Sequence, residues 1–269
     1  TIQSIYITTN GSLPDRIESF AKNISIKYPD IELTFQISID DLPNKHDKVR
    51  KIEGLFDNCI KSYNKLKKIE GKINPVVSIT VSDENYSEID EIYDYLTINK
   101  NVSSLKCTIV RDEGVFKTPL DKKEKILNAY KHLTNKIKTN ISKKKIKNYD
   151  SKSLQGRLHN KKEIITWELV KKTYMESDYI SPCHAGSLFG IISADGNVFP
   201  CEILEKKKLG NLRDNEMNFM RIWNNTETKN VKKFIKKTNC ACSYECALTY
   251  NILGNWRYQP SLLFSALFD

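Results

Sequence analysis

The chain has 269 residues, of which 39% are hydrophobic and 28% charged, a composition that supplies a sizeable core and argues against disorder. Its first residues lack the charged and apolar pattern of a signal peptide, and no apolar run approaches the roughly 18 residues that a membrane span needs, so a cytoplasmic protein is expected. The net charge of +10 comes mostly from lysines without interleaved arginine and aromatic residues, which argues against nucleic acid binding.

Strand-like and helix-like segments alternate over residues 1–142. Strands separated by helices pair in parallel through right-handed crossovers. We therefore predict an α/β fold, an open sheet or part of a parallel (β/α) barrel, with functional side chains at the carboxyl ends of the strands. The predicted strands are Ser4–Thr8, Ile31–Ile39, Val76–Val81 and Leu105–Val110, and the predicted helices are Pro14–Lys27, Val49–Ile69, Tyr86–Leu96 and Leu120–Ile137.

Two further regions follow this alternating part. Residues 143–178 are predicted to be a polar linker, exposed around the basic run Ser142–Lys147, and then an amphipathic helix over Ile164–Met175. Residues 179–269 have Gly-rich turns, short strands and cysteines. Asp195-Gly196 lies between two apolar segments and predicts a two-residue hairpin in which both residues have positive φ.

Five of the seven cysteines lie in the last 90 residues, in two groups. Cysteines clustered in a chain without a secretory signal indicate a metal site rather than disulfides. The irregular spacing favours an iron–sulfur cluster modestly over zinc, and a zinc-stabilised binding module is the alternative. Cys59 and Cys107 are predicted to be core residues. The candidate metal ligands are Cys183, Cys201, Cys240, Cys242 and Cys246.

The last region resembles the SPASM/twitch domain of radical S-adenosylmethionine (SAM) enzymes. The resemblance rests on Cys183–Gly186, Asp195–Glu202, Gly210–Asp214 and Ile222-Trp223, and on a Cys-x12-Gly-x4-Cys spacing. The first region is consistent with it. The stretch Ile7–Gly11 resembles the third strand of the radical SAM barrel, and Ser38–Asp41 with His46–Arg50 resembles the fourth strand and the helix after it.

The resemblance implies two kinds of cofactor. In the family, the serine and the arginine at the places of Ser38 and Arg50 contact SAM. One auxiliary [4Fe–4S] cluster is implied, held by Cys183, Cys201 and two of the other three C-terminal cysteines. The Cys-x3-Cys-x2-Cys loop that holds the second [4Fe–4S] cluster of the family is absent, and we expect it upstream of Thr1. The residues assigned to cofactor binding are Thr9, Asn10, Ser38, Asp40, Arg50 and Arg111.

The resemblance also implies a function. The parent enzyme uses a 5′-deoxyadenosyl radical on a substrate that we expect to be a peptide or protein, with a flavodoxin or ferredoxin as electron donor. The alternative is a dehydrogenase or modifier of a small sugar, alcohol or cell-envelope precursor. The chain alone is expected to be inactive. Trp223 and Trp256 are predicted packing anchors, and Leu262–Phe268 a docking helix.

Overall fold

The computed structural model describes residues 2–111, 117–150, 152–175 and 179–268. The chain divides into two compact units. The first, called the sheet unit here, comprises Thr1–Val110 and Thr118–Tyr149. The second, called the cysteine unit, comprises Arg111–Lys117 and Asp150–Asp269.

The sheet unit contains a four-stranded parallel sheet with the strands in chain order, which confirms the predicted α/β class. The two central strands are rich in Leu, Phe, Ile and Val and are largely buried, because a parallel sheet is covered on both faces. The outer strand at one edge alternates between exposed and half-buried residues. The strands are β1 (Ser4–Thr9), β2 (Glu32–Ser38), β3 (Ile73–Val81) and β4 (Leu105–Ile109).

The predicted helix over Val49–Ile69 is wrong, because the chain forms two helices there. Lys51 and Gly54 both have positive φ, and the Asp47 carboxylate accepts hydrogen bonds from the backbone N–H groups of Gly54 and Phe56 at 2.7 and 2.8 Å. These bonds stabilise the break between the helices. The helices of this unit are α1 (Pro14–Lys27), α2 (Pro43–Arg50), α3 (Leu55–Leu66), α4 (Ile89–Asp94), which continues into a π-helical turn over Tyr95–Asn99, and α5 (Leu120–Ser142).

The basic stretch after α5 is only partly the exposed linker that was predicted. Ile146 and Tyr149 are buried, and the Asn148 side chain bonds to both backbone groups of Leu105, at the start of β4. The next helix, α6 (Leu154–Thr173), begins ten residues before its predicted start at Ile164. Ser153 caps α6 by accepting a hydrogen bond from the Gly156 N–H at 3.0 Å.

The cysteine unit contains a small antiparallel sheet of β5 (Ile191–Ile192), β6 (Asn197–Phe199) and β7 (Gly210–Asn211). The predicted hairpin is present, but only Gly196 has positive φ, at 85°. Ser193 and Asn197 bond across a three-residue loop whose last residue is left-handed, a common alternative to the two-residue turn. The third strand, β7, was not predicted.

The helices of the cysteine unit are α6, α7 (Phe219–Trp223), α8 (Thr226–Lys237), α9 (Glu245–Gly254) and α10 (Gln259–Phe268). Helix α10 packs on α6, as expected for a docking helix, and buries Leu262 and Ala266. Trp223 packs against the core as predicted, whereas Trp256 is 79% exposed, so its predicted packing role is wrong. Within the described residues, no helix combines the length and the apolar character that crossing a membrane requires.

Candidate metal centre and cofactor site

Two cysteines from separate stretches of the cysteine unit meet side by side. The side chains of Cys183 and Cys240 hydrogen-bond to each other. Cys183 precedes the turn at Gly186, and Cys240 follows α8, where its N–H bonds to the Ile235 carbonyl at 3.1 Å. Together with Cys242, these two cysteines line a small cavity.

The electrostatic surroundings distinguish the two thiols of this pair. Contact with Cys240, together with the Ala185 N–H and the Asn251 side chain, lowers the pKa of Cys183 to about 7, although burial acts in the opposite direction. The same contact, with burial, raises the pKa of Cys240. The Cys183 sulfur therefore lies in a site that favours the thiolate, which is the form that binds metal.

Cys201 approaches the pair from the hairpin. It is buried in a core with Ala185, Val198 and Leu209, against which Cys183 and Cys240 also pack. The Leu204 and Ile203 N–H groups hydrogen-bond to its sulfur, although burial dominates and raises the pKa of Cys201. Cys183 adds to the raised pKa of Cys201, and Cys201 adds to the raised pKa of Cys240, so the three thiols lie close to one another.

The remaining two cysteines differ from each other. Cys242 is half-buried in the cavity, and its proximity contributes to the raised pKa of Cys240. Cys246 is exposed in the first turn of α9 and contacts the Tyr244 hydroxyl. Of the five predicted ligands, the structure thus brings four together and places Cys246 beside them in a different environment.

The groups around these sulfurs are of the kind found at iron–sulfur clusters. Backbone and amide N–H groups directed at sulfur, as at Cys183 and Cys201, are typical of cluster ligands and tune the cluster. The described residues include no group of three or more His, Cys, Asp or Glu side chains that could hold one metal ion. The four thiolates of a [4Fe–4S] cluster also surround one centre but lie farther apart than the ligands of a single ion, because each thiolate binds a different iron.

Arg111, predicted to bind a cofactor, lies in the cysteine unit beside the cysteine-bearing segments. Its guanidinium forms an ion pair with Glu202 at 3.3 Å and lies 4.3 Å from the centre of the Tyr244 ring. Glu202 follows Cys201, and Tyr244 separates Cys242 from Cys246. Sequence patterns could not detect this contact, since the three residues are far apart in the chain.

The loop after β1, at the carboxyl edge of the sheet, is held by α3. The Ser62 hydroxyl donates to the Gly11 carbonyl at 2.8 Å, and the Cys59 thiol donates to the Asn10 carbonyl at 2.9 Å. Thr9 accepts the Gly11 N–H through its hydroxyl at 3.1 Å. Gly11 is required here, because its φ is 70° and a Cβ would lie 2.9 Å from the Cys59 Cα.

Two further predicted residues, Ser38 and Asp40, lie at the end of β2, and a third, Arg50, reaches them from the end of α2. Ser38 is the last residue of this strand, and Asp40 forms an ion pair with Arg50 at the end of α2. Asp40 also accepts the Thr80 N–H at 2.8 Å, and the Asn85 amide donates to the Asp40 carbonyl at 2.6 Å. The structure therefore brings Asp40 and Arg50 into contact at the same edge of the sheet as Thr9 and Asn10.

His46 was given no role from the sequence, yet it contacts the backbone of Asp40 after β2. It is buried against Phe56, and its Nδ1 accepts the Asp40 N–H at 3.4 Å. Burial lowers the pKa of His46, with Asp40 opposing the shift and Arg50 adding to it. The sequence alone could not predict this contact, because it depends on how α2 packs after β2.

Comparisons with known proteins agree with this arrangement. Residues 183–247 match the model of the SPASM family, described as an iron-sulfur cluster-binding domain. The sporulation killing factor maturation protein SkfB of Bacillus subtilis (strain 168) is 24% identical over 218 residues, which cover 78% of this chain and 47% of SkfB. The chain thus spans about half the length of the curated relative that it matches.

Solved structures show the same fold. The structure of anSMEcpe with bound AdoMet aligns with a TM-score of 0.58 at 17% identity, covering 97% of this chain and 71% of that chain. A second structure, native anSMEcpe with bound AdoMet and Kp18Cys peptide, gives 0.54 at 16%, covering 97% and 75%.

The class is therefore that of an α/β protein in which residues 183–247 are similar to an iron–sulfur cluster-binding domain. More particularly, the predicted resemblance is confirmed: the chain is similar to radical SAM enzymes that carry a SPASM domain.

Proposed function

We propose that this chain is part of a radical SAM enzyme that modifies a peptide, and that its cysteine unit holds an auxiliary [4Fe–4S] cluster. The observation that carries the proposal is the meeting of the Cys183 and Cys240 thiols, from two separate stretches, at one cavity. Such a cluster, when bound, supplies one-electron transfer near the substrate.

Cys183, Cys201, Cys240 and Cys242 are the proposed cluster ligands. Their proximity and the N–H groups around Cys183 and Cys201 support this choice. Cys246, exposed and in contact with Tyr244, is the fifth and spare cysteine in this proposal. Four thiolate ligands leave no iron open, which favours electron transfer over direct binding of the substrate.

SAM is proposed to bind at the carboxyl edge of the sheet, where Thr9, Asn10, Ser38, Asp40 and Arg50 lie. The Arg50 guanidinium suits the methionine carboxylate, since arginine pairs with carboxylates in a planar, bidentate manner. The ion pair with Asp40 holds the guanidinium in place before the cofactor arrives. The Ser38 hydroxyl offers a donor and an acceptor for the ribose or the amino group.

A peptide substrate is favoured by the relatives. SkfB is named as a maturation protein for a killing factor, and one aligned structure holds a peptide together with AdoMet. A flavodoxin or ferredoxin is the proposed electron donor.

Anaerobic reconstitution of this chain with iron and sulfide tests the proposal. We expect about four irons and four sulfides per chain and a broad absorption band near roughly 400 nm. A colourless, zinc-loaded protein would support the binding-module alternative instead. Incubation with SAM and reductant should give no 5′-deoxyadenosine, because these 269 residues lack the Cys-x3-Cys-x2-Cys motif. Formation of that product by the chain alone would contradict the assignment.

A further inference from the structure

Arg111 contacts two side chains at once within the cysteine unit. Its two terminal nitrogens both lie 3.3 Å from one Glu202 oxygen, and its guanidinium lies over the Tyr244 ring, 4.3 Å from the centroid. Its side chain is 36% exposed. An exposed ion pair alone contributes little, so the simultaneous contact with the ring is the notable feature.

Tyr244 also contacts Glu202, the ion-pair partner of Arg111. Its ring is buried, and its hydroxyl contacts both the Cys246 thiol and the Glu202 carboxylate. Arg111, Glu202 and Tyr244 therefore each touch the other two.

The positions of these residues in the chain show which segments the contact joins. Glu202 directly follows Cys201, and Tyr244 lies between Cys242 and Cys246. The two segments that carry these cysteines are thus joined by one side chain from outside both. We propose that Arg111 is a positioning residue that fixes the two cysteine-bearing segments relative to each other for cluster binding, a role that rests on the proposed function.

Arginine is suited to this role and lysine is not. A guanidinium is planar, so one face stacks on an aromatic ring while the N–H groups at its edge bond to a carboxylate. A lysine ammonium has no flat face and cannot make both contacts in this geometry. Arg111→Lys should therefore keep the positive charge but no longer fix the two cysteine-bearing segments.

Iron release to an excess of chelator, followed in anaerobically reconstituted chain, tests the role. Arg111→Gln and Arg111→Lys should both release iron several-fold faster than the unmodified chain. The matched control is Arg221→Gln, which removes another exposed arginine ion pair of the cysteine unit, with Glu216 at 3.0 Å. That variant should release iron at the unmodified rate. Equal rates in all four proteins would overturn the role of Arg111.

Further measurements separate positioning from general stability. Glu202→Gln should also speed iron release, and the double variant Arg111→Gln/Glu202→Gln should be little worse than the more affected single variant, because both break one contact. The thermal unfolding midpoint of the metal-free chain should stay the same, while the electron paramagnetic resonance line shape of the reduced cluster changes in the loaded chain. Additive effects of the two substitutions, or a rate increase explained by a lower midpoint, would contradict a positioning role.

Failure of this inference is distinguishable from failure of the proposed function. If the unmodified chain takes up no iron, the proposed function is wrong. The contact is then judged by hydrogen exchange in the metal-free chain. Peptides that contain residues 201–204 and 240–246 should exchange faster in Arg111→Gln than in Arg221→Gln, and equal exchange would overturn the contact itself.

Discussion

The two units of the molecule are stabilised in different ways. In the sheet unit, long parallel strands bury Leu33, Phe35, Ile37, Val77 and Ile79, and backbone hydrogen bonds run along each strand. The three strands of the cysteine unit have two, three and two residues. A small sheet of this kind supports little structure by itself, so bonds to the proposed cluster would add to the stability of this unit. The sheet unit is thus expected to keep its stability without metal, and the cysteine unit to lose part of its own.

Removing a predicted cluster ligand should give the largest effect and the sharpest contrast between the units. Cys183→Ser should abolish nearly all iron binding and lower the thermal stability of the cysteine unit. Cys107→Ala, in the buried core of the sheet unit, should keep full iron while lowering the unfolding free energy by about 1 kcal/mol. Iron content and calorimetry measure both. Full iron in Cys183→Ser would remove the basis of the comparison.

The ligand set can be sharpened with two cysteines that lie four residues apart. Cys242→Ser should lose most of its iron, since Cys242 lines the cavity beside Cys183. Cys246→Ser should retain it, because Cys246 is exposed and contacts Tyr244. Iron and sulfide analysis after anaerobic reconstitution checks this pair, and the reverse outcome would make Cys246 a ligand in place of Cys242.

In the sheet unit, replacing a glycine that has positive φ should lower the unfolding free energy without changing the iron content. Gly11→Ala places a methyl group 2.9 Å from the Cys59 Cα at a positive φ, and we expect a loss of at least about 2 kcal/mol in unfolding free energy. Gly54→Ala is the control, because its φ is also positive but no atom lies within 4 Å; about 1 kcal/mol is expected. Urea unfolding measures the two values. Equal losses would show that the close approach at Gly11 does not matter.

The smallest expected effect concerns pH. Burial lowers the pKa of His46 below its ordinary value of 6.5, so the unfolded chain binds a proton more readily than the folded chain. The stability of the sheet unit should therefore fall as the pH drops below 6.5, down to the lowered pKa, and stay level below it. Urea unfolding of the unmodified chain and of His46→Gln across this range measures the contribution. Parallel curves for the two proteins would show that His46 does not titrate as described.

Prediction from the sequence succeeded where one residue pattern decided the structure. The alternation of Leu33, Phe35 and Ile37 predicted β2, and the apolar run Val76–Val81 predicted most of β3. Prediction failed where hydrogen bonds from side chains outside a segment determine its backbone conformation. Asp47 ends one helix and starts another by binding the Gly54 and Phe56 N–H groups. The first half of α6 was missed because Asn160 and Glu163 are buried polar residues that interrupt its apolar face.

For the site, the sequence predicted which residues gather but not their individual contacts. Cys183 and Cys201, both predicted to be ligands, pack in or against one core in the structure. The contacts of Arg111 with Glu202 and Tyr244 could not be predicted, because they link three stretches that are distant in the chain. Assignment of SAM contacts to Thr9, Asn10, Ser38, Asp40 and Arg50 stays a prediction.

The position of β1 has a practical consequence for handling the protein. Among the described residues, β1 has a neighbouring strand on one side only. The outward side presents a row of amide and carbonyl groups that a strand of another molecule can pair with. Concentrated solutions of the 269-residue chain are therefore expected to form oligomers through this edge, and dilute samples are preferable for every measurement described above.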